Sequence, residues 1–102
     1  MGIDLRVESE SGEVQDELLD DNNLTEKLLP EHDDATSPCL RYVDHDGDTV
    51  FNQLQLPVLL QELETRLRAA RKLDLKNHGT ALLNLIKSAQ GQDHTYVRFS
   101  GE

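Results

Sequence analysis

The sequence contains one cysteine, no tryptophan and only two tyrosines and two phenylalanines among 102 residues. A lone Cys39 allows no internal disulfide and cannot complete a Cys/His zinc set, and it makes the cytoplasm the expected compartment. So few aromatics cannot build a base-stacking platform for nucleic acid. No apolar run approaches the roughly 20 residues that a membrane-spanning helix needs. The opening Met1-Gly2-Ile3-Asp4-Leu5-Arg6 has no basic region followed by an apolar stretch, so it does not read as a secretory signal. Arg6 stands where a myristoylation motif would place Ser or Thr. The six glycines are scattered, with no Gly-rich phosphate loop and no Gly-x-Ser-x-Gly elbow.

What is abundant is negative charge, and it is concentrated. Residues 1–38 carry twelve acids against Arg6 and Lys27, a net of −10. Residues 39–102 carry eight acids and eight bases, a net of zero. The imbalance of the whole chain therefore belongs to one third of it. A concentrated acidic segment on a balanced domain is a surface for a basic partner. It also argues against binding a nucleic-acid backbone, which draws on clustered Lys and Arg.

At this length the chain is expected to form one domain over 1–102, with an acidic arm at 9–38. Ile3, Leu5 and Val7 alternate with Asp4, Arg6 and Glu8, the period of a half-buried strand, which Ser9 to Gly12 then break. Within the arm, Leu24, Leu28 and Leu29 suggest a short helix capped by Asn23 and ended by Pro30. Docking of these leucines is expected in preference to a disordered tether. Leu40 to Asp44 and Thr49 to Gln53 flank Asp46-Gly47, which predicts a two-residue hairpin with Leu40, Tyr42 and Phe51 on one face. Leu56 to Leu73 reads as the strongest helix, with Pro57 in its first turn and a stripe of Leu59, Leu60, Leu63, Leu67 and Ala70. Glu62–Arg66 and Glu64–Arg68 are spaced as surface ion pairs. Asp74 to Gly79 reads as an interruption before a second helix through Leu82, Leu83, Leu85, Ile86 and Ala89, closed at Gly91. Thr95 to Ser100 is a final strand with Val97 and Phe99 on one face. Strands and helices are segregated along the chain. The expected fold is α+β: a small, mostly antiparallel sheet of about four strands with two longer helices packed on one face.

Few constellations carry chemistry. Asp44-His45-Asp46-Gly47-Asp48 resembles the start of a cation loop, but glycine is fourth rather than sixth and Gln55 stands where an EF-hand needs Glu, so an acid-decorated turn is expected. His32, His45, His78 and His94 have no helical i,i+4 pairing and read as solvated loop histidines. Cys39 reads as a buried core cysteine rather than a nucleophile. Asn52, Gln53 and Gln55 stand between a strand and a helix, where side-chain amides satisfy loose backbone groups; a polar recognition surface is the alternative. No metal site and no cofactor are expected.

The leading expectation is a small, bacterial-type, non-catalytic module that binds a basic protein, of the kind in which an immunity protein neutralises a basic toxin or nuclease. Asp16, Glu17, Asp20, Asp21, Glu31, Asp33 and Asp34 are its candidate partner-binding residues. The alternative is a small enzyme or a metal- or metabolite-binding domain using Asp44, His45, Asp46, Asn52 and Gln53. A third is a structural accessory subunit or homodimer meeting through the Arg/Glu face of the first long helix.

Overall fold

A computed structural model describes residues 2–101. It contains the strands β1 (Asp4–Ser9), β2 (Val14–Leu18), β3 (Asp48–Phe51) and β4 (Thr95–Ser100) and the helices α1 (Leu56–Ala69) and α2 (Leu73–Ala89). Two short 3-10 turns, Glu26–Leu28 and Leu40–Tyr42, lie in the long connection between β2 and β3. The strands form one antiparallel sheet in the order β2-β1-β4-β3. The fold is α+β. Among the described residues, no helix is long and apolar enough to cross a membrane.

The period-two alternation of β1 and β4 decides which face is covered. Leu5 pairs with Phe99 and Val7 with Val97, and Phe51 of β3 also faces Val97. These five side chains are buried and share one core cluster with Leu56, Leu59 and Leu63 of α1 and Leu82, Ile86 and Ala89 of α2. Phe51 and Phe99 meet edge-to-face with ring centroids 5.8 Å apart, a geometry worth about 1 kcal/mol beyond the area it buries. The opposite face carries Arg6, Glu8, Arg98 and Asp48. There Arg98 donates to both Glu8 oxygens at 3.0 Å and to Asp48 at 3.0 Å, tying β1, β4 and β3 together.

The tight hairpin of the molecule is not the expected one. It joins β1 to β2: the Ser9 N–H donates to the Glu13 carbonyl and Gly12 donates back to Ser9, both at 2.9 Å. The enclosed loop is Glu10-Ser11-Gly12, and Gly12 takes φ +87°, the left-handed last position of a three-residue hairpin loop. The first half of the acidic arm is thus an edge strand. The predicted hairpin around Asp46-Gly47 does not form. Asp46-Gly47 is a turn, but β3 after it pairs with β4, while Leu40–Tyr42 winds into a 3-10 turn. Leu40 and Val43 are buried, and Tyr42, expected in the core, is 62% exposed. Pairing with β4 sets Phe51 against Val97 and Phe99, a larger apolar gain than Leu40 and Tyr42 could offer from one short neighbouring strand.

The helix boundary also moves. α1 stops at Ala69, Ala70 is extended, and α2 begins at Leu73, so the expected interruption at Asp74–Gly79 is helical. A mid-helix glycine costs about 1 kcal/mol relative to alanine. Here Gly79 is the contact point between helices: a Cβ on it would lie 2.6 Å from Leu67 Cδ1 and 3.3 Å from Leu28 Cδ1.

Candidate functional site

The acidic segment is docked, and three side chains hold it. Asp20 is the first. It is 3% exposed, and its carboxylate accepts the N–H groups of Ile3 (3.1 Å), Leu24 (2.7 Å) and Thr25 (3.1 Å). Thr25 Oγ1 lies 2.7 Å from His78 Nε2 of α2, which is itself 3.7 Å from Asp20 Oδ1. Burial pushes the Asp20 carboxyl up, but the three N–H donors and the nearby His78 more than offset this and hold it below the ordinary carboxylate value. Asp20, not Asn23, satisfies the amides leading into the first 3-10 turn. Asn23 instead adopts φ +58°.

Glu62 and Arg66 are the other two, and they correct the expected surface ion pair. Glu62 is buried and accepts the N–H groups of Cys39 (3.2 and 3.1 Å) and Leu40 (2.9 Å), capping the second 3-10 turn. Arg66 donates through Nε to Leu28 O and through Nη2 to Leu29 O, both at 3.0 Å. One turn of α1 therefore grips both ends of the connection from Leu28 to Leu40. Glu64–Arg68 does form, at 3.8 Å on the surface.

On this held backbone the seven candidate acids divide by exposure. Asp16, Glu17, Asp21, Glu31 and Asp33 are exposed, Asp34 is half-buried, and Asp20 is buried and spent internally, so Asp20 does not belong to an outward surface. Asp16 and Glu17 lie on β2, an edge strand, and Asp21 follows in the turn beyond it. Glu31, Asp33 and Asp34 lie on the loop strapped over α1. Among the described residues no hydrogen bond or ion pair joins the two groups. Glu17 meets Arg6 at 3.6 Å. Asp34 accepts the Thr36 hydroxyl (2.6 Å), the Thr36 N–H (3.0 Å) and the Ser37 hydroxyl (3.3 Å). The Thr36 hydroxyl first, and then the Thr36 N–H, lower its carboxyl below the ordinary value. Arg66 spends its bonds on carbonyls and Arg68 on Glu64, so among the described residues the arginines of α1 make no ion pair with the carboxylates of the segment, although the Arg66 charge adds to the lowering of the Asp34 carboxyl.

The second candidate set does not assemble. Asp44, His45 and Asp46 precede β3, while Asn52 and Gln53 follow it, so the strand's four residues separate them by roughly 13 Å. Each group is satisfied locally. Asp44 accepts the Asp46 N–H, and Asn52 accepts the Gln55 N–H. Gln53 donates to Ala89 O and Thr95 O and accepts the Gly91 N–H, fastening the end of α2 to the start of β4. These are the backbone-satisfying amides that the sequence suggests.

Histidines are only partly the solvated loop groups expected. His78 is a helical residue with a side chain 10% exposed. His45 Nδ1 is 3.3 Å from Glu26, and its ring centroid is 5.7 Å from that of His32, whose Nδ1 donates to Arg41 O. His94 meets Glu10 at 2.8 Å. Among the described residues no group of three or more His, Cys, Asp or Glu side chains could hold a metal ion. Cys39 is buried, as expected, and burial together with the Glu62 charge pushes its thiol up to about 11, far from a nucleophile's range.

Among the residues that fasten the segment or contact it, the sequence hides the helical ones, Glu62, Arg66 and His78. Their helical spacing suggests solvent-facing pairs or loop positions. The one local clue is that Glu62 lies between the core leucines Leu59 and Leu63. Comparison with known proteins finds no matching family model, no matching curated protein and no matching solved structure.

Proposed function

We propose that this chain is a non-catalytic module that binds a basic protein through the exposed carboxylates of its N-terminal third. The observation that supports the reading is a contrast within that segment. Its backbone is fixed by Asp20, Glu62 and Arg66, while Asp21, Glu31 and Asp33 make no ion pair among the described residues. Unneutralised carboxylates carried in two groups on a fixed backbone present negative charge with little backbone ordering entropy to lose on binding. Such a surface steers a cationic partner and rejects anionic ones. The finer reading is an immunity-type role, in which the partner is a basic toxin or nuclease whose cationic substrate-binding surface these carboxylates cover.

The test is the association rate with a basic protein partner, such as the product of any toxin-like reading frame found beside the gene. Stopped-flow rates should fall at least about tenfold between 0.1 and 1 M salt, as the screening length shrinks from roughly 10 to 3 Å. Replacing Asp21, Glu31 and Asp33 by lysine should slow association at low salt and leave folding intact. A rate indifferent to salt and to these charges defeats the proposal.

A further inference from the structure

Seven of the ten bases of the chain line two depressions, one at the corner where α1 passes into α2 and one along the groove between the two helices. Arg66, Arg68, Arg71 and Lys72 are already close in sequence; folding adds Lys27, Lys76 and Lys87 to them. The more enclosed of the two is a depression of about 370 Å³ between the first 3-10 turn and the α1–α2 connection. Lys27, Arg66, Arg71 and Lys72 line it, and none of the four makes an ion pair among the described residues. This is notable in a chain with 20 acids, where a carboxylate is the easiest neighbour to recruit. Asp74 is the one lining acid, and its Oδ1 is engaged by the Leu75 N–H at 2.7 Å. Four cations and one carboxylate leave a surplus of three positive charges.

The geometry suits a small ligand. Arg66 is anchored from behind by the Leu28 and Leu29 carbonyls, which use two of its five N–H groups. Its charge is thereby fixed in place. α2 starts at the rim with no cap from its N-cap side chain; Asp74 takes the Leu75 N–H, and the Leu73 and Asp74 amides with the positive end of the helix dipole add to the field. The floor is apolar: Leu24, Leu28, Ala69, Ala70 and Leu75. The volume lies within the range of small-molecule sites.

We propose that this depression binds a small organic phosphate, its dianionic group held by Lys27, Arg66, Arg71 and Lys72 and its apolar body resting on Leu24, Leu28 and Leu75. A monocarboxylate would offset one of the surplus charges. A phosphate monoester offsets two and offers three oxygens to the available donors. The site is independent of the acidic surface and stands or falls separately.

The test is an amide-resolved NMR titration of the full chain with inorganic phosphate, phenyl phosphate and sodium chloride at matched ionic strength. Both phosphates should give saturable shifts at Lys27 and Leu73–Leu75, with phenyl phosphate at least about fivefold tighter because it covers the leucines. Arg71→Gln and Lys72→Gln, both at exposed positions, should each weaken binding about three- to fivefold. Asp74→Asn should tighten it by a similar factor, an effect that no structural role of these residues would produce. The spectra of the variants report that they remain folded. Shifts matching those of chloride, or affinities unchanged in the three variants, overturn the site. Equal affinity for the two phosphates overturns its apolar half.

Discussion

Glu62 and Arg66 stand one turn apart on α1 and do not bind each other; each binds backbone of the acidic segment instead, Glu62 the amides of Cys39 and Leu40, Arg66 the carbonyls of Leu28 and Leu29. Two charges of opposite sign are matched to two ends of a loop that expose opposite halves of the peptide group. Glu62→Ala leaves two buried N–H groups without acceptors and should cost about 2–4 kcal/mol. Glu62→Gln keeps one carbonyl oxygen and should cost about half as much. Urea unfolding of both variants measures this; losses under about 0.5 kcal/mol would show that the strap does not depend on Glu62.

Asp20 should make the protein acid-sensitive. Its folded carboxyl lies below the ordinary value because three amides outweigh its burial. Its contribution is therefore present above the unfolded pKa, about 3.9, and is lost as pH falls through the folded pKa. Asp20→Asn should destabilise the fold by about 1–2 kcal/mol near neutral pH and flatten the stability profile below pH about 4. Chemical denaturation across pH tests the sign: a variant with an unchanged acid limb would show that other carboxylates set it.

Cys39 should be silent in the native state. With its thiol at about 11, roughly a hundredfold less thiolate is present at pH 8 than for an ordinary cysteine. A disulfide reagent should label it at least about a hundredfold faster in denaturant than in buffer. Comparable rates would mean that this part of the segment opens readily.

Arg98 holds three strands through Glu8 and Asp48. Glu8 is 8% exposed, so Arg98→Met strands a nearly buried carboxylate and should cost about 1–3 kcal/mol. Adding Glu8→Gln should recover part of the loss, because the unpaired charge is then gone. A double variant no better than the single one would locate the cost in packing of the Arg98 stem.

Patterns of short range were readable. Ile3, Leu5 and Val7 announce β1, Val97 and Phe99 announce β4, and the leucine stripe announces α1. Gly91 takes the positive φ, +83°, expected just past the second helix. The hairpin expectation failed because Asp46-Gly47 specifies a turn but not which strand pairs with the residues after it. The interruption expected over Asp74 to Gly79 failed because a helical glycine and a loop glycine look alike until Leu67 is packed against one of them. β2 was missed because an edge strand exposed on both faces lacks alternation; Gly12 at the end of a three-residue loop was its only signal.

The sequence alone determined the acidic excess and its confinement to one third of the chain, since charge is counted before anything folds. It also determined the α+β class, since periodicity is local. Tertiary structure decided which carboxylates face solvent. Asp20 and Glu62 are acids of the same kind as Asp21 and Glu64, yet the first two are buried among backbone amides and the others are not. Spacing cannot reveal that difference, because the amides Glu62 accepts lie 22 and 23 residues away and Asp20 reaches 17 residues back to Ile3. The same folding brought Lys27 beside Arg66 and Lys72: a side chain's partner is chosen by whichever segments the core brings together.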